Sequence, residues 1–229
     1  VEEAYFWSAV SLNLAWKYQM PAIILSDKNL GESIFNFDID SIPQIKEEAP
    51  LLWDRKPGYK RYLDTTDGVS PLAFPPDREA VIKVNSYEHD EAGITTEEPL
   101  LTKKMQDKRL RKAEYLAKEL EGTEAVKVYG HKDSSSALLC WGSNKGVCLE
   151  AAQNLGLKVI QPVVLAPFPV KQFRDALKGV KKLICVESTA TGQLARLIQA
   201  YGFKADGNIL KYDGRAFAMD ELIASIRGL

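Results

Sequence analysis

The sequence predicts an α/β protein built on a doubly wound parallel sheet. Apolar runs suited to strands alternate with helical patterns through the second half of the chain. The loops between them are short, which favours parallel strands joined by right-handed crossovers. The stretch "LICVESTATGQLARLIQAYGF" (183–203) shows the unit most completely: a buried strand, an acidic residue at its carboxyl end, a polar turn and an amphipathic helix.

The elements follow in order. Residues 2–18 place Phe6, Val10 and Leu14 four apart, with Ala9, Leu12 and Trp16 beside them. That spacing gives a helix whose apolar stripe is broad enough to cover a sheet. Pro21 ends it, and "AIILS" (22–26) reads as a short buried strand. From Pro50 to Pro76 prolines, glycines and aspartates break any periodicity, so the chain is expected to run extended across a surface. "AVIKV" (80–84) offers a short strand before a polar loop. Residues 102–120 form a charged helix with Met105, Leu110, Ala113 and Leu116 or Leu120 available for one face. Its charge run, "DKRLRK" (107–112), reads as a solvated face. Strands follow at 137–141, 158–163, 182–187 and 209–213, with helices at 145–155, 170–178, 191–201 and 219–227.

Composition narrows the function. Thirty basic against thirty-one acidic residues leave a net charge of −1, so no global field exists to hold nucleic acid or an anionic membrane. The longest apolar run is far too short to span a bilayer, and no signal-peptide pattern opens the chain. Cys140, Cys148 and Cys185 lack paired spacing, which argues against a zinc site or iron–sulfur cluster and for reduced thiols in the cytoplasm. The chain opens on Val1-Glu2-Glu3 and enters a helix at once, as expected of a piece of a longer chain.

Four stretches are candidates for chemistry. "WGSNKG" (141–146) joins a strand to a helix, and Gly142, Ser143, Asn144 and Lys145 would present free N–H groups to an anion. It matches neither phosphate-loop nor dinucleotide fingerprint, and a turn capped by Ser143 or Asn144 explains it without a ligand. "ESTATGQ" (187–193) has the same layout. Glu187 is an acid or base at a strand end or a partner for nearby N–H groups; Thr189 or Thr191 caps the helix; Gln193 falls near its third position, as in a capping box. Gly192 hints at a close approach. "YEHDEAG" (87–93) gathers three carboxylates and an imidazole, but successive residues of an extended loop point in different directions. "DKNLGES" (27–33) is another loop at a strand end.

In order, these stretches resemble one family. "EEAYFWSAVSLNLAWKYQMPAIILSDKNLGES" (2–33), "YKRYLDTTDGVSPLAFP" (59–75), "YEHDEAGITTEEP" (87–99), "MQDKRLRK" (105–112), "LCWGSNKGVCLEAA" (139–152), "LAPFP" (165–169) and "VESTATGQLARLI" (186–198) resemble the carboxyl-terminal portion of the α subunit of 2-oxoacid:ferredoxin oxidoreductases, the 2-oxoglutarate type most of all. The resemblance implies that residues 1–49 are the remnant of a pyrimidine-type thiamine diphosphate-binding α/β domain. Residues 50–123 would be an extended linker with a charged helix, and 124–229 a domain like the carboxyl-terminal domain of transketolase. It implies oxidative decarboxylation of a 2-oxoacid with coenzyme A and ferredoxin, catalysed with a β subunit; γ and ferredoxin-like subunits are further candidate partners. Thiamine diphosphate and magnesium would be shared with β, and iron–sulfur clusters would lie in partner chains only.

The family's amino-terminal Tyr-Pro-Ile-Thr-Pro stretch and its activating glutamate have no counterpart here. No catalytic residue is therefore carried over, and the isolated chain is expected to be inactive. The resemblance makes the turns at Gly142–Lys145 and Glu187–Gln193 interface or capping elements, and places Asp27 and Leu30 nearest an active site. The alternatives are a non-catalytic assembly module of the same fold, or a nucleotide-binding regulator using "WGSNKG".

Overall fold

The computed structural model describes residues 1–229. The chain divides into two compact units: Val1–Leu25 with Ile34–Lys118, and Ser26–Ser33 with Glu119–Leu229.

The first unit is built on α1 (Glu2–Tyr18) and on α3 (Pro99–Leu120) as far as Lys118; the short α2 (Lys28–Glu32) between them belongs to the second unit. Helix α1 carries Glu2 and Glu3 in its first turn and Lys17 in its last, an arrangement that suits the helix dipole. It stops at Gln19, which turns left-handed (φ 49°). The apolar stripe does not cover a sheet as expected: Phe6, Val10 and Leu14 are only partly buried, and Leu12 and Trp16 are exposed. "AIILS" is not a strand either, and Ile23 is 82% exposed. A strand needs a neighbour for its N–H and C=O groups, and the single sheet of the chain lies elsewhere. The expected strand at 80–84 is absent for the same reason. Residues 50–76 form no helix or strand; turns and bends interrupt them, and the stretch folds back on itself where Leu52 bridges Leu72, instead of running extended.

Helix α3 is also not the solvated rod its charge run suggested. Met105, Leu116 and Leu120 are buried as expected, whereas Leu110 is exposed. Its basic side grips the polar loops instead. Arg109 binds Glu88 at 2.5 Å, Lys104 binds Glu91 at 3.1 Å, and Arg111 binds Asp64. Burial alone would raise Glu91, but Lys60, Lys104 and the Asp64 N–H outweigh it and hold the carboxyl at about 2. Gly68 (φ 77°) lies so close to α3 that an added Cβ would stand 2.5 Å from the Lys108 carbonyl oxygen.

The second unit holds the sheet: β1 (Val126–Gly130), β2 (Ser136–Cys140), β3 (Lys158–Pro162), β4 (Lys182–Glu187) and β5 (Gly207–Leu210), in the order β1-β3-β2-β4-β5. Strands β2 to β5 are parallel, as expected. Strand β1 was not foreseen and runs antiparallel to β3 at the edge, so the sheet is mixed. Helices α4 (Asn144–Leu155), α5 (Val170–Ala176), α6 (Gln193–Ala200) and α7 (Met219–Arg227) cover it. The two-residue period of the strands sorts the core into two layers. Ala137, Leu139, Ile160, Leu183 and Cys185 face Phe173 of α5 and Leu194 and Ile198 of α6. Leu138, Cys140, Val159, Ile184 and Val186 face Cys148, Ala151 and Ala152 of α4 and Leu222 of α7. Burial of both faces explains the near-continuous apolar strands.

Candidate functional site

Strand β2 leads into α4 on one face of the sheet, while its neighbour β4 leads into α6 on the other. The carboxyl ends of such a pair splay their loops apart, and open α/β sheets usually meet ligands there. Both turns singled out in the sequence sit at this point, and residues 26–33 join them.

Asp27 is the centre of the arrangement. Its Oδ2 accepts the Ser143 N–H at 2.8 Å, and its Oδ1 accepts the Leu30 N–H at 3.1 Å, capping α2. Asn29 Nδ2 adds a bond to the Ser143 hydroxyl at 3.2 Å. Burial pushes the Asp27 carboxyl up, but the N–H and hydroxyl of Ser143, then Leu30 and Asn29, outweigh it and hold the group below its ordinary 3.8. Gly142 makes the approach possible. It is left-handed (φ 57°), and a Cβ there would lie 2.7 Å from Asp27 Oδ2. Ser143 stands at the N-cap of α4 but its side chain caps nothing; the carboxylate of Asp27 sits at that helix end instead. Lys145 closes the turn through its N–H to the Gly142 carbonyl at 3.2 Å and lies over the Tyr129 ring.

The second turn is organised by Glu187, which is fully buried. It accepts the N–H groups of Leu194 at 2.8 Å and Ala195 at 3.1 Å, the Thr189 hydroxyl at 3.2 Å and the Cys185 thiol at 3.2 Å. A buried carboxylate is tolerable only when its oxygens are so engaged. Burial, and then Glu187, push the Cys185 thiol up, so it remains protonated and donates. The capping-box expectation fails here. Gln193 is the first helical residue, not the third, and is exposed; the N-cap is Gly192 (φ 63°), which has no side chain to offer. Glu187 therefore reaches across from the strand end to serve the helix. Thr189 does not cap the helix directly; it accepts the Gly192 N–H at 3.1 Å. The two turns are linked where the Ser188 hydroxyl donates to buried Asn144 at 3.0 Å.

Asp27, Leu30, Gly142, Ser143, Asn144, Glu187, Thr189 and Gln193 thus lie around one switch point, held by the chain's own polar groups. What sequence reasoning missed is that Asp27 and Glu187 play one role: each seats a carboxylate at a helix amino end. The signal was present in Gly142 and Gly192, glycines just ahead of the helices they precede. "YEHDEAG", in the first unit, forms no single site. Glu88 serves Arg109 and Gln106, His89 stacks on Tyr62 (centroids 3.7 Å apart), Asp90 turns its own loop, and Glu91 serves Lys60 and Lys104.

The residues at the switch point do not fit the diphosphate of thiamine diphosphate, because the carboxylates of Asp27 and Glu187 already stand at the two helix amino ends and would repel it. No helix is long and apolar enough to cross a membrane.

No family model matches the chain. It is 34% identical over 99% of its length to the 2-oxoacid:ferredoxin oxidoreductase subunit alpha of Saccharolobus solfataricus, covering 37% of that protein. The 2-oxoglutarate synthase subunit KorA of Methanocaldococcus jannaschii is 27% identical over the whole chain, which covers 61% of it. Among solved structures, a 2-oxoglutarate:ferredoxin oxidoreductase from Magnetococcus marinus, with 2-oxoglutarate, coenzyme A and succinyl-CoA bound, superposes with a TM-score of 0.82 at 29% identity. That match covers 95% of this chain and 38% of the other. The chain thus spans little more than a third of the length of the first of these relatives.

Proposed function

We propose that this chain, homologous over nearly its whole length to part of the α subunit of the 2-oxoacid:ferredoxin oxidoreductases, forms part of such a subunit. The assembled enzyme would oxidatively decarboxylate a 2-oxoacid, pass the acyl group to coenzyme A and deliver two electrons to ferredoxin. The structural match across 95% of the chain carries this reading. The 2-oxoglutarate preference rests on that neighbour's bound molecules and on the name of the archaeal relative.

Within that enzyme, residues 124–229 act as the transketolase-like domain, 50–123 as the connection with its charged helix, and 1–49 as the end of a thiamine diphosphate-binding domain. The thiamine diphosphate, when bound, supplies the carbanion chemistry; magnesium, diphosphate and iron–sulfur clusters belong with a β subunit and further partner chains in the cytoplasm. The role of this chain is positional. Asp27 fixes the segment 26–33 to the switch point, so that Leu30 and its neighbours are held in one place beside the active site. Glu187 and Asn144 hold the two turns that support it. A carboxylate of the chain itself at each helix amino end favours this supporting role over a nucleotide-binding one.

The test is purification of the native assembly from its source cells. The measurements are the intact mass of this subunit, its companions, their thiamine and iron content, and coenzyme A-dependent dye reduction with 2-oxoglutarate and with pyruvate. A heavier subunit with both cofactors and faster turnover of 2-oxoglutarate supports the reading. A 25.5 kDa species without either cofactor, inactive with both acids, overturns it in favour of an assembly module.

A further inference from the structure

Ahead of Lys118 in its last turn, the basic residues of α3 fall into two groups. Lys103, Lys104, Arg109 and Arg111 each meet a carboxylate, from Asp107, Glu91, Glu88 and Asp64 respectively. Lys108 and Lys112, one turn apart on the same helix, do not. Lys108 is only 6% exposed, and its ammonium donates to the Ser70 hydroxyl at 2.6 Å. Lys112 donates to the Gln19 carbonyl at 3.3 Å. Arg61 joins them from the preceding loop: its Nη1 donates to the Gln19 side-chain carbonyl at 2.9 Å, and its guanidinium stacks over Tyr62. The Gln19 amide closes the ring by donating to the Ser70 carbonyl. Three cations therefore share two neutral residues.

We propose that Arg61, Lys108 and Lys112, set around Ser70 and Gln19, bind a small oxyanion, the phosphate or carboxylate end of a ligand. Buried charges are ordinarily paired, and a buried ammonium facing only hydroxyl and carbonyl oxygens is costly to keep. The fork of Arg61 and the two ammonium groups retain donors after the bonds described, the combination that oxyanion sites use. Arg61 and Lys112 are only half-buried, so an anion can reach them from solvent. The mutual proximity of the charges is felt in the free protein. Burial, and then Lys112, lower Lys108 to about 8, Arg61 and Arg109 adding to this and Asp64 opposing it. Burial, Arg61 and Arg109 likewise lower Lys112. A bound oxyanion would reverse those repulsions. The proposal stands apart from the oxidoreductase reading, since it requires none of that enzyme's cofactors.

The test is calorimetric titration of the chain, and thermal melting, with sodium phosphate and with sodium citrate, against sodium chloride at matched ionic strength. Wild-type protein should bind one oxyanion and melt at a higher temperature than in chloride. Lys112→Gln and Arg61→Gln should each weaken binding by about tenfold, whereas Lys171→Gln, an exposed lysine elsewhere, should change nothing. Circular dichroism of each variant confirms its fold, and wild-type chemical shifts of phosphate (³¹P) give a second readout free of mutation. A larger response to phosphate or to citrate identifies which end group the site takes. Equal behaviour in oxyanion and chloride, or binding undiminished in both variants, overturns the proposal.

Discussion

Replacing Lys108 by methionine should stabilise the first unit at neutral pH and slightly destabilise it at high pH, where only the lost bond to Ser70 remains. The lysine ordinarily titrates at 10.5 and here at about 8, a gap worth about 3 kcal/mol. Above 10.5 the side chain is neutral whether folded or unfolded, and burial costs nothing through its charge. Between about 8 and 10.5 the unfolded chain holds a proton that the folded chain does not, so stability rises with pH across that window. Below about 8 the full penalty stands. Methionine has nearly the same length and no charge, so Lys108→Met removes the penalty. It also removes the bond to Ser70, worth about 1 kcal/mol, although that hydroxyl keeps its own bond to the Leu63 carbonyl. The net gain at pH 7 is then about 2 kcal/mol. Urea unfolding in chloride buffer, followed by tryptophan fluorescence, measures it; Trp7, Trp16 and Trp53 all lie in the first unit. Taking the variant minus wild-type difference at pH 7 and again near pH 10.5 cancels every other titration. A difference that does not shrink with pH, or a variant less stable at pH 7, would refute the account of Lys108 as a buried, uncompensated charge.

Three further outcomes follow from the switch point. Glu187→Gln keeps the shape but loses the charge that serves Leu194, Ala195 and Thr189, and should cost about 2 to 4 kcal/mol of second-unit stability in denaturant; no loss would mean the carboxylate is not what holds α6. Asp27→Asn should speed hydrogen exchange at Leu30 and Ser143 without altering exchange in β2 and β4. Because the Asp27 carboxyl is held below 3.8, its contribution is complete above that pH and fades as pH falls through its folded value, so wild-type exchange at these amides should approach that of the variant only in acid. Gly142→Ala forces a left-handed alanine and sets a methyl 2.7 Å from Asp27 Oδ2, so it should release residues 26–33 as Asp27→Asn does and cost about 1 to 2 kcal/mol in addition.

Much of the second unit was legible because local and global signals agree there. Strands buried on both faces are apolar throughout, helices between them carry a 3.6-residue stripe, and each boundary fell within a few residues of its place. Strand β1 escaped because an edge strand is only half-covered; "VKVYG" mixes Lys127 and Gly130 with its valines and gives no continuous apolar run. The first unit was less legible for the opposite reason. Its order comes from side-chain pairs between residues far apart, such as Arg111 with Asp64 and Lys108 with Ser70, and no period in the sequence reveals such pairs. A run like "DKRLRK" looks the same whether it meets water or carboxylates. Ile23 to Leu25 suit a strand, but none of the strands of this chain pairs with them. At the candidate site the residues were recognisable and their partnership was not: Asp27 and Ser143 stand 116 positions apart, and only the folded backbone brings them together.

The membership of residues 26–33 in the second unit, with residues on either side belonging to the first, has a practical and an evolutionary side. The chain enters the second unit, leaves it and returns, so no single cut separates the two. A fragment begun at residue 119 would keep every strand yet lose the carboxylate that sits on α4, and an amino-terminal fragment would carry that carboxylate with nothing to receive it. Domains exchanged between proteins by recombination are usually contiguous stretches bounded by linkers. Here the chain instead places eight residues, 26–33, in the second unit between two stretches of the first, so substitutions at Asp27 and at Gly142 act on one and the same contact.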